Sequence, residues 1–334
     1  MKEELLIFCM MWFYGTCFAQ NTLIRPLSKT NLRRVHVTQA CSHSGITQIN
    51  DSTYALVNDN DSVEGLYVMT LHMNTQNGKI KQCYISHRHS GSTTKCDMEA
   101  IAYYPPRNTV FIADEHTQQI LEYNLTGEKT GRKLADIKRF GTDNIQTNLG
   151  FESLCYDTLN HIFWTTTESP LVSDYQSSPR TVRIQSFGED LRPQNSFFYT
   201  LDPTLVTKKH SLHVHGVSDM MVLSDGRLIV MEREAVITRK YYGSYCIVKL
   251  FLVDLKDNAI VKARKTLLHQ FTTRASLWDW MCGNGFANYE GICAGPKLND
   301  GRQTILLIND SQKHFGTKLA HLKDYIKVLV LENN

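Results

Sequence analysis

The feature that most constrains this 334-residue chain is a short motif that occurs five times in order. Each copy opens on an acidic or polar residue with a small or apolar pair, passes a turn, and continues as an apolar strand that closes on an acid. Four copies are clear. Met98-Glu99-Ala100-Ile101 leads to residues 110–115, and Phe151-Glu152-Ser153-Leu154 leads to 162–168. Ser218-Asp219-Met220-Met221 leads to 227–233, and Tyr289-Glu290-Gly291-Ile292 leads to 305–310. A fainter copy, Ser44-Gly45-Ile46 leading to 54–59, precedes them. Fixed-order self-similarity of this kind marks a repeat architecture.

Both halves of the motif are short, apolar and bounded by turn residues such as Asn108, Asn160, Asp225-Gly226 and Asp300-Gly301, which is a hairpin pattern. Further strand-like runs follow at 65–73, 119–124, 181–186, 245–254 and 325–331, and helical periodicity is nearly absent. The expected fold is all-β: a β-propeller of five blades, each a four-stranded antiparallel sheet. Six blades stay open if 169–215 holds another, and a β-sandwich is the non-repeating alternative. The last unit has only three strands before the chain ends. A strand at 32–38 is expected to supply the fourth, so that both termini close the ring and remove free edges.

An antiparallel hairpin sets the start of its first strand beside the end of its second. The pairs Glu99/Asp114, Glu152/Glu168, Asp219/Glu232 and Glu290/Asp310 should therefore meet at one mouth of the channel, with Asp59 and Glu115 beside them. So many carboxylates need raised pKa values or cations. Arg233, His43, His116 and His215 are candidate partners, and Ca²⁺, a hard oxygen-seeking ion, suits the rest. In the competing reading each opening acid accepts backbone N–H groups and braces its own blade.

The segments "NLGFESLCYD…FWTTTESPL" (148–172), "GVSDMMVLSDGRLIVMERE" (216–234) and "NYEGICAGPKLNDGRQTILLINDS" (288–311) resemble the phytase-like family, described as having an esterase-like activity of phytase. The resemblance carries over to Glu152, Glu168, Asp219, Glu232, Arg233, Glu290 and Asp310. It implies a propeller body and hydrolysis of phosphoric esters. Glu152, Glu168, Glu232, Arg233 and Glu290 are the catalytic candidates, with Arg233 holding the phosphate. Glu99, Asp114, Asp219 and Asp310 are the candidate ligands of Ca²⁺. Ser44 replaces an acid in the first repeat.

Charge and motifs narrow the alternatives. With 36 basic and 33 acidic side chains the formal charge is +3, and no basic stripe suggests nucleic acid. Lys2, the apolar run 5–18 and Cys17-Phe18-Ala19 read as a signal peptide cleaved after Ala19, which predicts a secreted or periplasmic domain at 20–334 without a membrane span. Cys41, Cys83, Cys96, Cys155, Cys246, Cys282 and Cys293 then remain. Cys83 with Cys96 and Cys282 with Cys293 are candidate pairs in an oxidising compartment, and no zinc spacing occurs. Trp278-Asp279-Trp280 is read as blade packing and His213/His215 as a polar strand face. Asn50, Asn60, Asn124 and Asn309 begin glycosylation acceptor triplets. No GxSxG, Walker or HExxH motif is present. The alternative to a hydrolase is a non-catalytic propeller that binds a ligand or protein at the same mouth; a lactonase-like hydrolase would rest on fold analogy alone.

Overall fold

Runs of β-branched, aromatic and aliphatic residues between turn residues form the strands of this protein. The structure is a computed structural model that describes residues 22–35, 42–59, 61, 63–89, 96–206, 212–238, 242–255, 262–278, 285–314 and 322–333. The signal segment, Cys41, Asn60, Lys208-Lys209, Asp279, Trp280, Cys282 and Gly283-Asn284 lie outside the described residues.

Five four-stranded sheets follow one another along the chain. Blade 1 is β2 (His43–Gln48), β3 (Thr53–Asn58), β4 (Gly65–Asn74) and β5 (Lys79–His89). Blade 2 is β6 (Met98–Tyr104), β7 (Thr109–Asp114), β8 (Gln119–Asn124) and β9 (Lys129–Lys133). Blade 3 is β10 (Phe151–Asp157), β11 (Ile162–Thr167), β12 (Thr181–Phe187) and β13 (Pro193–Thr200), so residues 169–215 contribute to blades 3 and 4 and build no sixth blade. Blade 4 is β14 (Leu212–Val222), β15 (Leu228–Ile237), β16 (Tyr245–Asp254) and β17 (Arg264–Arg274). Blade 5 is β18 (Asn288–Ala294), β19 (Thr304–Asp310), β20 (Tyr325–Asn333) and, from the other end of the chain, β1 (Thr22–Asn31). The innermost strands β2, β6, β10, β14 and β18 pack each against the next and close a ring.

Closure by both termini occurs, but with a different strand from the one expected. β1 pairs along its whole length with β20, from Thr22↔Asn333 to Asn31↔Tyr325. Residues 32–35 instead form a 3₁₀ turn that buries Leu32 and Val35. The outer position suits β1: Pro26 lacks a ladder donor, which an edge strand tolerates, and the register shifts beside it.

Five apolar clusters fill the five gaps between neighbouring blades. Between blades 2 and 3, Tyr104, Phe111, Tyr156 and Phe163 form one ring-on-ring group with centroids 4.6–5.7 Å apart. Each such side chain taken from water contributes roughly 1.5–3 kcal/mol, which makes the gaps the main source of stability. Cys83 belongs to the cluster between blades 5 and 1 and Cys96 to that between blades 1 and 2. The two are buried free thiols in separate cores, so the proposed Cys83–Cys96 bridge is absent; Cys155, Cys246 and Cys293 are also free. Trp278 does not pack a blade and is 72% exposed. Asn309 is buried, its amide donating to the carbonyls of Asp310 and Lys323, which removes it as a glycosylation acceptor.

Candidate functional site

Every innermost hairpin carries the same defect. The register of the first two strands slips once in each blade, at Ser44, Glu99, Glu152, Ser218 and Glu290. A β-bulge leaves its extra residue unpaired and re-aims its side chain. Two residues earlier, on the same strand face, stand Ser42, Asp97, Gly150, Gly216 and Asn288. The first three bind the closing positions through backbone bonds: Asp59 N–H donates to Ser42, Glu115 to Asp97 and Glu168 to Gly150. Gly216 and Asn288 pair with Arg233 and Asp310 in the strand register. The inner mouth is therefore built from three repeated positions per blade. They supply eight carboxylates (Asp59, Asp97, Glu99, Glu115, Glu152, Glu168, Glu290 and Asp310) and one guanidinium, that of Arg233.

Arg233 is buried, and its two terminal nitrogens meet acids from two other blades. Nη2 donates to Glu168 at 2.6 Å and to Glu152 at 3.4 Å; Nη1 donates to Glu290 and, at 3.2 Å, to Asn288. Both terminal nitrogens are thus committed to holding acidic neighbours, and Nε is buried without a hydrogen-bond partner. Gly216 makes room for this hub, since a Cβ there would collide with the backbone carbonyl and Cγ of Glu168.

Among the described residues, the opposite side of the mouth is acidic without an arginine. Oxygens of Asp59, Asp97 and Glu99 lie within 4.8 Å of one another. Asp97 Oδ1 is buried and accepts no hydrogen bond. Burial, then a hydrogen bond and repulsion from Asp97, pushes the Asp59 carboxyl well up. Burial and the charges of Asp59 and Glu290 do the same to Glu99, and burial with Glu99 and Glu168 to Glu152. Glu290 and Asp310 are raised by burial first and by acidic neighbours second, against the lowering pull of Arg233. Burial lifts Glu115 to about 7 although it accepts the Gly150 N–H at 2.5 Å. A cleft of about 250 Å³ opens beside this half, lined by Asp97, Glu115, His116, Gln118, Gln146 and Asn148 among others.

Three expected members stand elsewhere, each because of a one-residue offset that sends a strand side chain to the other face. Asp114 precedes the inward Glu115 and instead caps its own turn, accepting from His116 N–H and the Thr117 hydroxyl. Glu232 precedes Arg233 and faces blade 3, where it accepts from the Tyr199 hydroxyl, Asp202 N–H and Lys265 Nζ. Asp219 follows the bulge residue Ser218 and sits buried deeper in the channel. There it accepts from the N–H groups of Met220 and Ile292, at 2.8 Å each, and of Leu154. It braces three blades, as the competing reading of the acids anticipated for one. Below it Ile46, Ile101, Leu154, Met220 and Ile292 line a cavity of about 320 Å³ at the far mouth. Of the histidines, His43 is buried against Asn58 with its pKa lowered by burial, and His213 pairs with Glu234 at 3.0 Å. Burial lowers His215 too. Asp97 was not anticipated; its place two residues before Glu99 was the available signal.

No curated protein sequence matches the chain. Solved structures resemble it in fold only. The endo-arabinase of Bacteroides thetaiotaomicron shares 11% identity over 88% of this chain and 94% of its own, with a TM-score of 0.48. The PQQ-bound aldose sugar dehydrogenase of Streptomyces coelicolor shares 10% over 92% and 100%, with a TM-score of 0.41. Kuenenia stuttgartiensis hydrazine synthase shares 9% over 82% of this chain and 58% of its own, with a TM-score of 0.36. A family model described as "Esterase-like activity of phytase" matches residues 39–312. That span runs from just before β2 to just past β19 and so takes in all five bulged hairpins, leaving out only β1 and β20 of the strands. The matched span thus includes the hairpins that build the acidic mouth, and the chain belongs to the phytase-like family.

Proposed function

We propose that the protein is an exported hydrolase of phosphoric esters that works at the acidic mouth with a divalent cation, Ca²⁺ in the first instance. The observation that carries this reading is the division of the carboxylates into a half ordered by Arg233 and a half where, among the described residues, acids surround Asp59 and Glu99. An anionic ester would be repelled by the second half unless a cation were there. The donors fit such an ion: they are oxygens only, three lie within 4.8 Å of one another, and Asp97 Oδ1 is buried without a partner. Asp59, Asp97 and Glu99 would hold it. When bound it would offset their charge, polarise a phosphoryl oxygen and acidify a coordinated water.

The chain's own groups supply the rest. Glu115, poised near 7 beside the cleft, can take and return a proton at neutral pH. Arg233 holds Glu152, Glu168 and Glu290 in place rather than gripping the substrate. The test is turnover of phosphomonoesters and phosphodiesters by chelator-treated protein with and without Ca²⁺, alongside calorimetry and Glu99→Gln. Activity that needs Ca²⁺ and falls in Glu99→Gln is the expected result. Ca²⁺ binding without turnover would favour the ligand-binding propeller, and no Ca²⁺ binding would remove the cation from the proposal.

A further inference from the structure

Each blade leaves two connections on the face that holds the acidic mouth: second strand to third, and fourth strand to the next blade. On blades 3 and 4 these connections carry an unusual surface. The segment after β11 exposes Val172 and Tyr175, and the segment after β13 exposes Leu205. Leu212 opens β14 at the same end, opposite Ile237. The turn between β15 and β16 exposes Tyr242 by 69%, and the segment after β17 exposes Leu277 and Trp278 by 62% and 72%. These last two segments are neighbours, because Gly243 N–H donates to the Ala275 carbonyl and Ala275 N–H to that of Ser244. Seven of the eleven exposed large hydrophobic side chains among the described residues thus share one half of one face. Leu159, at its hairpin turn, and Leu23, opposite Glu332 at the far end of β20, lie on the opposite face.

Exposed cations stand on neighbouring segments, with the exposed acids Asp136 and Asp143 on the same loop as two of them. Lys138 and Arg139 adjoin Val172 and Tyr175, since the loop that bears them binds the 172–175 turn through Val172 N–H to the Asn144 carbonyl. Arg180 and Arg274 flank the other members. Tryptophan, tyrosine and aliphatic tips interleaved with lysine and arginine are the composition that partitions into the headgroup region of a bilayer, the apolar tips entering and the cations meeting anionic headgroups.

We infer that this half of the face docks on an anionic phospholipid bilayer and sets the acidic mouth towards it. The inference rests on exposure and charge and is independent of the proposed hydrolase activity. It is tested by flotation of the mature protein with phosphatidylcholine vesicles containing or lacking phosphatidylserine, with tryptophan emission recorded in parallel. The expected result is co-flotation with the mixed vesicles, less with phosphatidylcholine alone, and less again in high salt. Tyr242→Ser with Trp278→Ser should weaken partition by about a hundredfold, roughly tenfold for each apolar tip lost. Melting temperature should not change, since neither side chain packs a core. No flotation with either vesicle, or equal flotation of the double variant, would overturn the proposal. A concentration-dependent dimer in light scattering that the double variant abolishes would overturn it in favour of a second copy of the chain.

Discussion

Arg233 of blade 4 donates to Glu168 of blade 3 across 2.6 Å, and both side chains are almost wholly buried. The same guanidinium also serves Glu152 and Glu290, so one cation from one blade sets carboxylates from two others. Removing one partner of a buried ionic group leaves uncompensated charge, at a cost of about 3–5 kcal/mol. Arg233→Met should therefore lower the melting temperature sharply at neutral pH. The loss should shrink at acid pH, where the carboxyls protonate. A thermal-melt series against pH checks this, and a pH-independent loss would mean that packing rather than charge is at stake.

The raised carboxyls make a signed prediction about pH. Glu115 titrates near 4.5 when unfolded and near 7 in the fold, so the folded state binds the extra proton between those values. Stability from this group is complete below 4.5 and is lost as pH rises through about 7. Asp59, Glu99, Glu152 and Glu290 shift in the same direction for the same reason, burial. Chelator-treated protein should melt at falling temperatures from acid to neutral pH. Added Ca²⁺ should raise the melting temperature more at neutral than at acid pH, and a gain independent of pH would count against binding at these acids.

Asp219 is expected to behave differently from the mouth acids. Asp219→Ala strands the N–H groups of Met220, Ile292 and Leu154, each buried donor left alone costing about 1–3 kcal/mol. Chemical denaturation should show a large loss of stability. Ca²⁺ affinity measured by calorimetry on the surviving folded protein should stay within about twofold of the parent, whereas Asp97→Asn and Glu99→Gln should reduce it about tenfold or more, a single lost ligand charge outweighing 1.4 kcal/mol.

Deleting residues 22–31 should open blade 5, because β1 covers the free edge of β20 along its length. Light scattering during a thermal ramp should report aggregation at a markedly lower temperature than in the intact ring. Unchanged melting would show that the ring closes without β1.

The repeat made most of the fold legible. Short apolar runs between turn residues identify the hairpins of all five blades, and the boundaries of strands such as Gln119–Asn124 and Tyr245–Asp254 follow from composition alone. Strand β1 was hidden because Thr22–Asn31 mixes polar residues with Pro26 and owes its conformation to β20, nearly the whole chain away. The mouth was half legible. Glu99, Glu152, Glu168, Glu290 and Asp310 could be brought together from their place in the motif. Asp114, Asp219 and Glu232 could not be separated from them, because a bulge shifts the register by one residue and each shift reverses the face a side chain takes. The order of acids along the chain thus determined that a carboxylate mouth would exist. Only the closed ring decided which acids enter it, which three share Arg233, and which one turns inward to tie the blades together, since those contacts join residues from different blades.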